Sequence, residues 1–205
     1  AAGVPAENIE VIGIPVDPAL GVDRDVGSLR DSLEWDPELV TLLAVGGNRV
    51  ANLESVLHIV NHSGFPLQLA VVAGNNDDLH RRLKEVDWHL PTHVYGFVDT
   101  MPDLMRASDA ILCKAGGLIV SEALAAGLPL LLVDALPGQE IGNAEFVVAG
   151  DAGVLLATEL DVLETLAHWL DADATRLAEV SGNARRLGNP QAAEQIADRV
   201  WDLGM

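Results

Sequence analysis

The chain has 205 residues, 49% of them apolar, a single cysteine and a formal net charge of −19. That length suits one α/β domain able to bury well over half of its extended-chain surface, and the strong acidity excludes nucleic acid as a partner, because a phosphate backbone repels it. No apolar run approaches the roughly 18 residues of a membrane span. The N-terminus lacks the basic-then-apolar order of a signal peptide, and one cysteine excludes an internal disulfide framework and fits a reducing cytoplasm.

In chain order, residues 9–14 are predicted to form a strand that ends at Gly13-Ile14-Pro15. Residues 17–36, rich in Asp, Gly and Ser and carrying Arg24 and Arg30, read as a loop plus a short amphipathic helix, with no chemistry assigned. A strand over 39–45 opens at Gly46-Gly47-Asn48, and a helix over about 49–62 puts Leu53, Val56, Leu57 and Val60 on one face. Gly46-Gly47 is either a tight βα turn or a phosphate-facing loop, and Arg49 offers a charge that could meet a diphosphate. A strand over 67–73 and the turn Gly74-Asn75-Asn76 follow, with Asn75 as the expected cap of a helix carrying Leu79, Leu83 and Val86. After a strand over 91–95 and Gly96-Phe97-Val98, the helix over 101–107 is expected to place Met101 and Met105 in the core.

The stretch from Cys113 to Asn143 holds the densest signal. A short apolar strand over 110–113 runs into Gly116-Gly117 with a helical pattern behind it. Adjacent glycines let a ligand approach the backbone, and the N–H groups at Gly116, Gly117 and Leu118 open a helix whose start attracts anions. Glu122 follows about one and a half turns later at 3.6 residues per turn, placed to accept hydrogen bonds from a sugar diol. Lys114 is either a cation for a diphosphate or a solvated strand-end lysine, and Cys113 is an inert buried residue with no general base beside it. A second strand over 128–133 carries Pro137-Gly138-Gln139-Glu140 to the same rim. Gln139 and Glu140 pair an amide with a carboxylate, which suits a ring of hydroxyl groups, and Asn143 lies one turn further on. Two βα units thus converge on one polar site, as ligand sites do in open parallel sheets, although a doubly wound sheet with turn glycines alone would look similar.

Beyond Asn143 the pattern gives a helix through Val148, a strand over 153–157 and helices over about 161–170, 174–187 and 191–203. This alternation predicts an α/β, Rossmann-like, mostly parallel sheet with helices on both faces. His58 and His62 form an i,i+4 pair outside any HExxH context and are expected to be solvent-exposed, and no acidic DxD-type cluster stands out as a metal site.

Three pieces, GFVDTMPDLMRASD, CKAGGLIVSEALAAGLPLLL and PGQEIGNAEF, together resemble the C-terminal, nucleotide-sugar-binding domain of certain GT-B glycosyltransferases. These include monogalactosyldiacylglycerol synthase, the processive diacylglycerol glucosyltransferases and the peptidoglycan enzyme that adds N-acetylglucosamine to lipid I. The resemblance covers roughly residues 8–153 and implies a 1–8 linker remnant followed by a 9–205 donor-binding domain. It further implies that main-chain groups near Phe97 and Val98 pair with a uracil edge. The site residues would then be Gly46, Gly47, Phe97, Val98, Gly116, Gly117, Leu118 and Glu122 for the nucleotide, Gln139, Glu140 and Asn143 for the sugar, and Arg49 and Lys114 for the phosphates. Ile119 departs from the threonine common in relatives, whose hydroxyl can add a phosphate hydrogen bond worth about 1 kcal/mol. The implied partners are a UDP-sugar, a lipid or lipid-linked acceptor and an absent N-terminal acceptor domain that holds the catalytic base. No cofactor or metal is implied, the helix dipole and backbone N–H groups serving the leaving diphosphate instead. Location is implied to be cytoplasmic, peripheral to a membrane in the full-length protein. The alternatives are a UDP-N-acetylglucosamine 2-epimerase-like enzyme and a non-catalytic nucleotide-sugar-binding module.

Overall fold

The computed structural model describes residues 3–22, 25–47, 50, 52–171 and 175–204. At its centre six parallel strands, β1 (Val40–Val45), β2 (Leu67–Val72), β3 (Thr92–Tyr95), β4 (Ala110–Lys114), β5 (Leu130–Asp134) and β6 (Gly153–Leu155), pair in the order β3-β2-β1-β4-β5-β6. Side chains alternate across the sheet, so Leu43 joins one core cluster with Val72, Ile111 and Leu132, while Leu42 and Ala44 join another with Leu69, Val71 and Leu131. A sheet buried on both faces needs continuous apolar strands, which is why these segments read as runs and not as alternating patterns.

Helices cover both faces, as the alternation predicts. The first cluster takes α4 (Met101–Ala107), α5 (Gly117–Ala126) and α6 (Ile141–Ala149) through Met105, Val120 and Val147. The second takes α2 (Leu53–Asn61), α3 (Asp77–Lys84) and α7 (Asp161–Trp169) through Val56, Leu83 and Val162. From α8 (Thr175–Leu187), Val180 joins the second cluster and Ala184 the first, before α9 (Ala192–Gly204) ends the described chain. The segment given no chemistry above has a structural task. It contains a 3-10 turn, Pro18–Gly21, and α1 (Val26–Ser32), whose Arg30 is buried. Arg30 donates to Ala107 O at 2.9 Å and pairs with Asp109 at 2.6 Å, and the same Asp109 oxygen accepts from Thr41 N at 2.7 Å. One guanidinium thus ties α1 to the entries of β1 and β4.

Several boundaries differ from expectation; β6, for one, ends at Leu155, two residues before the expected 157. Residues 9–14 form no strand: Ile12 O is taken by Asn189 Nδ2 at 2.8 Å and Val11 is 92% exposed, so the segment runs over the surface beside the entry to α9. The α3 cap is Asn76, whose Oδ1 accepts from Leu79 N at 3.0 Å, and not Asn75. β5 begins two residues late because Leu128 N is spent closing α5, on Ala123 O at 2.8 Å. α2 begins at Leu53, and Asn48 and Arg49, with the phosphate contact expected of Arg49, lie outside the described residues. Among the described residues no helix is long and apolar enough to cross a membrane.

Candidate functional site

The sheet order reverses between β1 and β4: the chain steps outward from β1 through β2 to β3, then returns to lay β4 on the other side of β1. Neighbouring strands whose crossovers leave in opposite directions open a crevice at their carboxyl ends. Gly46-Gly47 follows β1 and Gly116-Gly117 follows β4, so the two glycine pairs flank that crevice.

The turn after β4 is held from three sides. Pairing between β4 and β5 skips Val133, taking Cys113 to Leu132 but Lys114 to Asp134, and this irregularity re-aims the strand end. Ala115 N donates to Asp134 O at 2.8 Å, and Ala115 O accepts from Asn143 Nδ2 at 2.9 Å. Gly116 is the N-cap of α5, whose first turn has no side-chain cap and no acidic residue. A side chain on Gly117 would begin 3.2 Å from Ile14 Cδ1 and 3.7 Å from Asn143 Nδ2. Exposed Leu118 completes the first turn.

The turn after β5 is built by Pro137-Gly138. Gly138 has φ +80° and Gln139 N donates to Leu136 O at 3.2 Å, the type II arrangement in which only glycine sits easily at the third position. Gln139 faces solvent at its tip, whereas Glu140 is 7% exposed. Its Oε1 pairs with Lys114 Nζ at 2.5 Å and its Oε2 accepts from Leu136 N at 3.0 Å. Lys114 is therefore ion-paired and three-quarters buried, not the solvated strand-end lysine that was one of its two sequence readings. Glu140 and Asn143, read as ligand groups, also brace the glycine turn.

Glu122 lies one turn and a half into α5, half-buried. Burial, with the charge of Asp17 beside it, raises its carboxyl pKa above the usual glutamate range. Cys113 is buried, and desolvation pushes its thiol to about 12, which makes it a packing residue. Phe97 is 64% exposed and Val98 packs against the core, while the Gly96 between Tyr95 and Phe97 leaves room for the His80 ring, 3.5 Å from where a Cβ would stand. On the β1 side, Gly46 N donates to Val72 O at 2.8 Å, and Gly47 has φ +152° with open space above it. Two clefts of about 260 Å³ each flank the rim, one lined by Gly47, Leu53, Asn76 and Arg82, the other by Ile14, Ser121, Leu124 and Phe146. His58 and His62 are exposed, their rings tilted by 49° at 4.4 Å between centroids, and among the described residues no group of three or more His, Cys, Asp or Glu could hold a metal ion.

Sequence reasoning missed the parts that no side chain announces: the Ala115 carbonyl, the Leu136 N–H and the contact of Ile14 with the glycine turn. Only the Gly-Ile-Pro segment carried a signal for the last of these.

This topology and its crevice define a Rossmann-like, doubly wound α/β domain. WaaG, a glycosyltransferase involved in lipopolysaccharide biosynthesis, superposes with a TM-score of 0.70 at 19% identity over 95% of this chain and 56% of its own. HepE of Anabaena, solved in complex with UDP-glucose, gives 0.65 at 20% identity over 98% and 59%. At such identities the likeness is one of fold. The chain belongs to the glycosyltransferase family 28 C-terminal domain, whose family profile matches residues 43–199. It is 35% identical to the probable monogalactosyldiacylglycerol synthase 3, chloroplastic, of Oryza sativa subsp. japonica over 95% of this chain, and it spans 40% of that relative's length.

Proposed function

We propose that this domain binds the donor of a UDP-sugar-dependent, inverting hexosyltransferase acting on a lipid or lipid-linked acceptor. One observation carries the reading: at the switch point of a family 28 domain, an uncapped helix start and a polar turn meet at one rim, with a half-buried carboxylate one and a half turns along the same helix. Each suits one part of a nucleotide sugar. The N–H groups of Gly116, Gly117 and Leu118 suit the diphosphate, with Gly46 and Gly47 across the crevice. Glu122 suits the ribose hydroxyls, main-chain groups at Phe97 and Val98 suit the base, and Gln139, Glu140 and Asn143 suit the hexose.

The reading extends to the whole protein. Acceptor and general base belong to an N-terminal domain, so this chain binds donor without turnover. No metal or cofactor takes part, because the helix start and backbone donors stabilise the leaving diphosphate. The protein works in the cytoplasm, peripheral to the membrane that holds its acceptor. Calorimetric titration with UDP, UDP-glucose, UDP-galactose and UDP-N-acetylglucosamine, with GDP and ADP as controls, tests the donor assignment. Saturable binding of UDP and at least one UDP-hexose, absent for GDP and ADP, is the expected result, and indifference to the base would overturn it.

A further inference from the structure

Ile14 leaves a large apolar side chain 44% exposed at an otherwise polar rim, with its Cδ1 3.2 Å from where a Cβ on Gly117 would stand. The backbone on either side of it is fixed. Ile12 O accepts from Asn189 Nδ2 at 2.8 Å, and Val16, two residues beyond Ile14, is buried in the first core cluster. Between that hydrogen bond and Ile14, Gly13 takes φ +118°, which glycine adopts without strain, and it lies so near the start of α9 that an added Cβ would be 3.8 Å from Ala192 Cβ. Asn189 is held in turn: its Oδ1 accepts from Gln191 N at 3.2 Å, and its Nδ2 also reaches Gln195 Oε1 at 2.8 Å. Farther back along the segment, Glu10 pairs with Arg199 of α9 at 2.7 Å. These contacts fasten the segment to α9 and its entry, and the residue that the segment delivers faces the first turn of α5. Ser121 and Leu124, four and seven residues after Gly117 and so on the same face of α5, line one cleft with Ile14.

Resting on the donor reading above, we infer that Ile14 is a further donor-site residue that packs over the diphosphate at the β4–α5 turn, and that Asn189 is the positioning residue that holds it there. An isoleucine offers a phosphate neither a hydrogen bond nor a charge. What it supplies is exclusion of water, since the N–H groups of a helix start attract an anion more strongly where solvent screens them less. The hold on Ile12 O keeps the apolar tip at the turn before any ligand arrives, so little ordering is left to be done on binding.

The test is calorimetric titration of the 205-residue chain with UDP and with uridine, beside urea unfolding as the check on folding. Ile14→Ala weakens UDP about fivefold, steepens the fall of UDP affinity with salt and leaves uridine within about twofold, because only the phosphates lose their cover. Ile14→Leu, which keeps the apolar volume, holds UDP within about twofold of wild type. Asn189→Asp preserves the acceptor for Gln191 N but withdraws the donor from Ile12 O, and it weakens UDP about threefold. The double variant, Ile14→Ala with Asn189→Asp, binds UDP no more weakly than Ile14→Ala alone, since nothing is left to position. Undiminished or tighter UDP binding by Ile14→Ala would mean that the isoleucine stands clear of the ligand or in its way, and the inference falls. It falls also if uridine weakens equally, the segment then only holding the rim in shape, or if the two losses add, Asn189 then acting independently of Ile14. An unmodified chain that binds no UDP would overturn the donor reading and this inference with it, whereas a chain that binds UDP equally well with Ile14→Ala overturns this inference alone.

Discussion

At the end of β1, Gly46 is enclosed: an added Cβ would meet Leu53 Cδ2 at 2.8 Å, Leu79 Cδ2 at 2.9 Å and Val72 O at 3.3 Å. At the end of β4, Gly117 faces outward, and its added Cβ would meet the tip of Ile14, a side chain 44% exposed and able to move. The two pairs look alike in sequence and follow neighbouring strands of one sheet. One glycine is required by the core beneath it and the other by the space above it. The bracing differs in the same sense, since the β4 turn is held by Lys114, Glu140 and Asn143, all reaching it from side chains. Gly46 instead sits in the core, its N–H on Val72 O.

Substitutions should separate stability from binding along this line. The largest effect is expected at Gly46→Val, which forces Leu53 and Leu79 off their packing and costs about 3 kcal/mol of folding stability, read from the urea midpoint. An unchanged midpoint would mean that the β1 turn is as open as the β4 turn.

Glu122→Ala should spare stability and weaken UDP by about 2 kcal/mol, the scale of hydrogen bonds to a charged group. Its pH dependence sharpens the point. Because the folded pKa of Glu122 is raised, the folded chain holds that proton more tightly than the unfolded chain. The group favours folding at pH below the ordinary glutamate range and loses that contribution as pH rises through the raised value. Hydroxyl donors need the ionised form, so affinity for UDP-glucose, whose phosphates take up no proton in this range, should fall as pH is lowered through that raised pKa. Glu122→Gln should flatten the profile, and a wild-type profile that is already flat would remove Glu122 from the site.

Asn143→Ala frees the Ala115 carbonyl and removes a hexose contact, so it should lower UDP affinity by about 1 kcal/mol, one hydrogen bond's worth, and UDP-glucose affinity by more. Loss confined to UDP-glucose would make Asn143 a sugar contact and not a brace. The smallest effect is expected at Gln139→Ala, on the exposed tip of the Pro137-Gly138 turn, with about 1 kcal/mol lost for UDP-glucose and none for UDP. Equal losses for both ligands would place that tip on the nucleotide.

The parallel α/β class, the helices on both faces and the delivery of the β4 and β5 turns to one rim were legible because long apolar runs and glycine-bearing turns are local signals, whereas the strand order came only with the structure. Helix 101–107 was read to the residue for the same reason. Residues 9–14 misled because an apolar alternation says nothing about whether a strand partner exists, and here side chains hold the backbone in place of a ladder. The bracing of the rim was illegible for a related cause. The Lys114–Glu140 pair joins positions 26 residues apart, and its geometry depends on a skipped residue in β5 that no composition marks.

The central claim is that the β4–α5 turn receives the diphosphate, and Gly117→Val tests it most directly. Titrating wild type and variant with UDP and with uridine, beside urea unfolding of both, separates ligand obstruction from misfolding. The expected result is a nearly unchanged midpoint, with UDP binding abolished and uridine binding retained in part. Undiminished UDP affinity, or an equal loss of both ligands in a folded variant, would contradict it.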